Sequence, residues 1–256
     1  MAKKPAWVVE KERKSRDSLW LFGLHAVRDA LMNPAREKLR LVVTRNAADR
    51  LGPEALAAGP EPEIADPRKF PVPLDPGSVH QGAAVEVRPL SWGGLREVCA
   101  PSGFASPGDR VVLLDRVTDP HNVGAILRSA EVFGARAVVA VARHSAPETG
   151  SLAKTASGAL ERQPYLRVQN LSRAMEDLRE AGYRLVGLAG EAETEIATLP
   201  TDQPLALVLG AEGPGLRDKT RDTCDELVRI GDAGGFGSLN VSTAAAVALF
   251  ATRSTG

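Results

Sequence analysis

Excess charge is the first thing this sequence lacks. Thirty-two lysines and arginines face 32 aspartates and glutamates, for a formal net charge of zero over 256 residues. Bulk charge announces no polyelectrolyte partner, so any basic footprint must be local. Cysteine is nearly absent. Cys99 and Cys224 lie far apart and offer neither a disulfide framework nor a metal-ligand spacing, so a reducing cytoplasm is the expected compartment. The four histidines, His25, His80, His121 and His144, are scattered, and no metal is expected. Long apolar runs are missing too. Residues 233–252 are uncharged, but Gly234, Gly235, Gly237, Ser238, Asn240, Ser242 and Thr243 make the stretch too polar for a membrane span. No apolar segment follows the basic start as a signal peptide would require.

Several catalytic signatures are also absent. No G-x-G-x-x-G opens a helix, no G-x-x-x-x-G-K-[ST] is present, and no G-x-S-x-G elbow appears. Rossmann dinucleotide binding, P-loop nucleotide hydrolysis and the α/β-hydrolase triad are set aside on those grounds.

What is present is length and ordinary composition. Hydrophobic residues make up 43% and charged residues 25%, as in a folded globular chain of one large or two small domains. Residues 1–18 form a tail rich in Lys3, Lys4, Lys11, Arg13, Lys14 and Arg16. It reads as a solvated terminus or as an arm for RNA phosphates. From Leu19 to Leu90 a first domain is expected, with a helix opening at Gly23-Leu24-His25-Ala26-Val27 and stopped by Asn33-Pro34. Strands are expected at Leu39–Thr44 and Ala83–Val87, and short elements through the proline-dense stretch Pro53–Pro76. Residues 91–108, crowded with Gly, Pro and Ser, read as a linker.

Residues 109–256 then alternate. Val111–Leu114, Ala137–Ala142, Arg184–Leu188, Leu205–Leu209 and Leu227–Ile230 read as strands. Asn122–Phe133, a segment around Leu171, Met175 and Leu178, and Val241–Ala251 read as helices, with Gly134 and Gly182 as stops. The pattern predicts an α/β fold with a parallel sheet covered by helices on both faces.

Ligands of such sheets bind beyond the carboxyl ends of the strands. Three segments there are rich in glycine and small polar residues: 115–128, 209–216 and 231–241. Singly each has an ordinary explanation. Asn122 could be a helix cap, Glu212 a carboxylate complementing a helix dipole, and Arg128 a surface charge. Three converging on one sheet edge point to a site.

Together these segments carry a resemblance. Asp115-x-x-x-Asp119-Pro120-x-Asn122-x-Gly124-x-x-x-Arg128, Leu209-Gly210-x-Glu212-Gly213-x-Gly215 and Ser238-Leu239-Asn240-Val241-Ser242 resemble, in order, the three motifs of the SpoU family of RNA 2′-O-ribose methyltransferases. Gly23-x-His25-Ala26-Val27 and His80-Gln81-Gly82 resemble the substrate-binding domain, related to ribosomal protein L30e, of its 23S rRNA-directed branch.

The resemblance implies a SPOUT-type parallel sheet with a trefoil knot, a smaller L30e-like α/β domain, S-adenosylmethionine as cofactor, and a homodimer with composite active sites. It implies that Arg128, Asn122, Glu212, Ser238 and Asn240 form the catalytic set and that Leu209, Gly210, Gly213, Ile230 and Leu239 contact the cofactor. The substrate it implies is RNA, a guanosine of 23S rRNA. The tRNA-directed branch and a non-catalytic ribosome-assembly factor are the alternatives. The chain departs from the family at Ile230-Gly231-Asp232, where Ile-Pro and an apolar residue are usual. The change implies a looser cofactor loop with an added carboxylate.

Overall fold

The computed structural model describes residues 18–75, 77–99, 106, 108–231 and 239–253. The basic tail up to Asp17, Asp232 and Ser238 lie outside the described residues. The chain divides into two compact units. One runs to Ser91 and takes in Glu148–Glu161; the other comprises Trp92–Pro147 and the chain from Arg162.

The first unit is built on strands β1 (Leu19–Phe22), β2 (Lys38–Val43), β3 (Pro62–Ile64) and β4 (Ala83–Val87), in the order β1-β4-β2-β3. β4 runs antiparallel to β1 and β2, and β3 parallel to β2. Helix α1 (Leu24–Met32) buries Leu24, Ala26, Val27, Ala30 and Leu31, the 3.6-residue spacing visible in the sequence. Helix α2 (Arg45–Ala57) was not foreseen, because the proline-dense stretch from Pro53 reads as short elements. Thr44 caps it, accepting from the Ala47 N–H. It bends at Gly52 and restarts at Pro53, whose missing N–H costs nothing in a first turn.

The segment 148–161 contributes helix α5 (Gly150–Ala156), numbered after α3 and α4 of the second unit. The second domain expected over residues 109–256 included this segment, which instead belongs to the first unit. A Cβ at Gly150 would lie 2.4 Å from both the Phe22 ring and the Trp20 carbonyl oxygen, so only glycine lets this helix approach β1. The anchor is ionic. Arg36, with no exposed side-chain surface, donates to Glu161 Oε1 and Glu148 Oε1, each at 2.6 Å, and to the Arg88 carbonyl at 2.7 Å. Burial opposes the Arg36 charge, but the two carboxylates outweigh it and raise its pKa. Burial pushes the Glu148 carboxyl up, against the pull of Arg36.

The second unit holds seven parallel strands: β5 (Arg110–Asp115), β6 (Ala137–Val141), β7 (Tyr165–Val168), β8 (Arg184–Leu188), β9 (Thr194–Glu195), β10 (Leu205–Gly210) and β11 (Glu226–Arg229). Their order is β7-β6-β5-β10-β8-β11-β9. Every residue of β5 and β6 is buried, which is why these strands read as continuous apolar runs. One face carries Val111, Leu113, Val139, Ala206 and Val208 under Leu171, Met175 and Leu178 of α6 (Leu171–Glu180). Cys99 of α3 (Leu95–Cys99) joins that core, and the Tyr183 hydroxyl donates to its carbonyl at 2.7 Å. The stretch read as a linker thus includes a helix that buries Cys99 and packs the partly buried Leu95 and Val98 against the core. Helices α4 (Pro120–Val132) and α8 (Val241–Ala251) pack on each other and on β6 and β10. None of their residues joins the cluster, so they cover the opposite face. A short helix α7 (Asp218–Thr223) precedes β11.

Arg110 secures those two helices from beneath. Its guanidinium donates to the Phe133 carbonyl at 2.7 Å and the Leu249 carbonyl at 2.9 Å, where α4 and α8 expose unpaired carbonyls.

Replacing Arg36 tests the ionic anchor of the first unit. Arg36→Ala leaves two buried carboxylates without a cation and is expected to cost about 3–5 kcal/mol. Urea denaturation of the variant against the wild type measures it.

Candidate active site

A parallel sheet brings the carboxyl ends of its strands to one edge, and there Asn122 after β5, Glu212 after β10 and Asn240 at the start of α8 come together. Helix α4 begins at Pro120, with Asp119 as its cap accepting from the His121 N–H at 3.0 Å. Asn122 is therefore not the cap, and its amide is free for another role. It donates to Glu212 Oε1 at 3.3 Å. Asn240 does cap its helix. Its Oδ1 accepts from the Ser242 N–H at 2.9 Å, the Ser242 hydroxyl at 2.6 Å and the Thr243 N–H at 3.4 Å. Its Nδ2 turns the other way, donating to Asn122 Oδ1 at 3.0 Å and to Glu212 Oε1. One carboxylate oxygen thus collects two amides from two helix starts, and Asn122, Glu212 and Asn240 form a closed triangle. Glu212 sits in the loop between β10 and α7, so it answers side-chain donors rather than the dipole of α7.

That loop folds back on the strand it leaves. Gly215 N–H donates to the Ala211 carbonyl at 2.9 Å, with φ of +81° at Gly213 and +68° at Gly215. A Cβ at Gly210 would lie 2.1 Å from the Gly215 carbonyl carbon and 2.3 Å from the Leu216 nitrogen. Backbone rides directly on backbone here. Past the turn, Arg217 bonds to Asp115 at the end of β5, a pair the sequence reading did not single out. The signal was there: Asp115 ends an all-apolar strand, and a buried carboxylate requires a cation.

The remaining candidates spread around this edge. Leu209 is buried, Gly210 half-buried, Gly213 exposed and Ile230 half-buried just after β11. Leu239 exposes 48% of its surface beside Asn240. Arg128 stays outside the triangle. It is exposed on α4, about 9 Å along the axis and roughly a third of a turn round from Asn122. Ser238 lies outside the described residues. Among the described residues no cluster of potential metal ligands occurs.

Comparison with known proteins gives the constellation a family. Residues 109–250, holding all three loops, match the SpoU rRNA Methylase family. The chain belongs to that family. Among relatives of this SpoU protein, the 23S rRNA (guanosine-2'-O-)-methyltransferase RlmB of Vibrio vulnificus (strain CMCP6) is 41% identical over 238 residues, 90% of this chain and 94% of the relative. The protein of the same name from a Burkholderia species is 51% identical over 171 residues, 67% of this chain and 68% of its own. In fold, the chain matches the AdoMet complex of the SpoU methyltransferase AviRb from Streptomyces viridochromogenes. The TM-score is 0.79 at 24% identity, covering 94% of this chain and 91% of that one.

Gly210→Ala probes the backbone crossing. The methyl group must displace residues 215 and 216, and the overpacking is expected to cost about 1–3 kcal/mol. Thermal unfolding of the variant is the measurement.

Proposed function

We propose that the protein transfers a methyl group from S-adenosylmethionine to the ribose 2′-hydroxyl of a guanosine in 23S rRNA. The Asn122–Glu212–Asn240 triangle carries this reading, because it gathers all three family motifs at one sheet edge in a chain 41% identical over 90% of its length to an enzyme of that name.

The residues present suit the cofactor. Gly210, Gly213 and Gly215 leave stretches of the loop's backbone bare of side chains, as close approach to the flat, polar edge of an adenosine requires. Leu209, Gly210, Gly213 and Ile230 would hold it through such backbone, and the exposed Leu239 would supply apolar cover. When bound, S-adenosylmethionine supplies an electrophilic methyl on a sulfonium. The chain's own task is to align the hydroxyl and help its proton leave. Arg128, with the planar donor fork of a guanidinium, orients the ribose hydroxyl and a neighbouring phosphate. Asn122, Glu212 and Asn240 fix the pocket walls, and Ser238 completes the polar set.

The wider architecture follows the same reading. β10 lies between β5 and β8, and the last helix returns to α4, a path consistent with a trefoil knot. The protein acts as a homodimer. Helix α8 is apolar on every side yet leaves Phe250 52% exposed, and Val132 on α4 is 76% exposed. Arg128 stands one helical turn from Val132 on the exposed face of α4, and a second copy covering this face would suit the composite active sites that the family resemblance implies. The first unit acts as the L30e-like substrate-binding domain. Its two motif segments meet where Gln81 Oε1 accepts from the Leu24 N–H at 3.0 Å. No helix among the described residues is long and apolar enough to cross a membrane, and the cytoplasm is the compartment where its rRNA is made.

Arg128→Ala is expected to lower methyl transfer by about 10²–10⁴-fold with cofactor affinity unchanged, read by single-turnover assay and calorimetry. Wild-type turnover by the folded variant removes Arg128 from the mechanism. Deleting the gene should erase one 2′-O-methylguanosine from 23S rRNA, mapped by nucleoside mass spectrometry. Loss of a tRNA mark instead redirects the substrate. Phe250→Glu is expected to yield monomers in sedimentation and to lose activity with them.

A further inference from the structure

We propose that Asp115 and Arg217 form a positioning pair that holds the loop over Gly210 in its cofactor-binding shape; the inference rests on the methyltransferase reading above. Asp115 is the last residue of β5, and its side chain has no exposed surface. Its register partner across the sheet is Gly210, the residue on which the loop backbone rests. Both carboxylate oxygens are committed to one residue. Oδ2 accepts from the Arg217 backbone N–H at 3.1 Å, and Oδ1 accepts from Nε at 2.7 Å and Nη2 at 2.6 Å.

Few other ties define the loop's path: between Gly210 and Arg217 it has the Gly215–Ala211 bond, Leu216 packs against the core beneath, and its two positive-φ glycines supply no side chains. Glu212 reaches outward to the two asparagines. The chain therefore leaves the sheet at Gly210, turns, and is brought back to the neighbouring strand end by Asp115. A buried carboxylate that bonds both a backbone N–H and a guanidinium fixes position and direction together. Arg217 is 43% exposed at its side chain, so the pair clamps the loop from its outer edge while the carboxylate stays dry. Neither residue reaches the Asn122–Glu212–Asn240 triangle through any hydrogen bond among the described residues. The pair acts on the cofactor through the loop's shape and takes no part in handling the hydroxyl.

That separation sets the test. Asp115→Asn turns an acceptor oxygen into an NH2 facing a guanidinium, and Arg217→Ala removes the guanidinium from a surface position. Both are expected to weaken S-adenosylhomocysteine binding by about tenfold to a hundredfold in calorimetry. KM for S-adenosylmethionine should rise with it, while kcat at saturating cofactor and KM for rRNA move less than about threefold. Arg217→Lys, which keeps the charge without the two-point geometry, should fall between, and Asp115→Glu should recover part of the loss. If Asp115→Asn fails to fold, the two Arg217 variants carry the measurement. Wild-type affinity for S-adenosylhomocysteine in folded Asp115→Asn and Arg217→Ala would overturn the pair's role, as would a raised KM for rRNA alone. A wild-type protein that binds no S-adenosylhomocysteine would overturn the functional reading itself.

Discussion

A guanidinium at the amino end of β5 caps the carboxyl ends of both site helices, and the geometry at their other ends depends on it. Arg110 takes carbonyls from the last turns of α4 and α8. Its burial lowers its pKa, with Asp109 opposing, and a cation at two helix carboxyl ends also meets two favourable dipoles. Helices are stiff over this length. Pinning them at one end leaves Asn122 and Asn240 little freedom at the other, so a single carboxylate at Glu212 can bridge both.

The site is a junction of loops rather than a pocket cut into one element. Asn240 spends its oxygen on the helix and its nitrogen on the neighbouring loops, which orders the start of α8 and the junction by one residue. The parallel sheet is what makes this economical. With every strand running the same way, residues distant in the chain reach one edge, and the all-apolar strands beneath give that edge a rigid base.

Much of this was legible. β4, β8 and α8 have the bounds that their apolar runs and flanking glycines suggest, because period and punctuation are local signals. The motif residues Asn122, Glu212 and Asn240 were likewise visible and converge as the resemblance implied. What escaped was decided by partners that no single residue announces. The proline-dense stretch from Pro53 reads as short elements until Thr44 caps the helix and Pro53 restarts it. Asn122 passed for a cap until Asp119 took that place. Asp115 at the end of an apolar strand called for a cation, but nothing in the sequence says that Arg217, 102 residues on, supplies it. The partnership of Arg36 with Glu148 and Glu161 spans more than a hundred residues, and no periodicity encodes it.

That last partnership has a consequence for how the protein is made. The core of the first unit is incomplete without residues 148–161, so the ribosome must pass residue 161 before Arg36 can be neutralised. By then β5, α4 and β6 of the second unit have already been synthesised. The usual order, in which an amino-terminal domain closes before the next begins, is unavailable to this chain. Its two units must mature together, and a nascent chain stalled anywhere between residues 91 and 147 would present an unpaired arginine and an uncovered β1 to the chaperones around it.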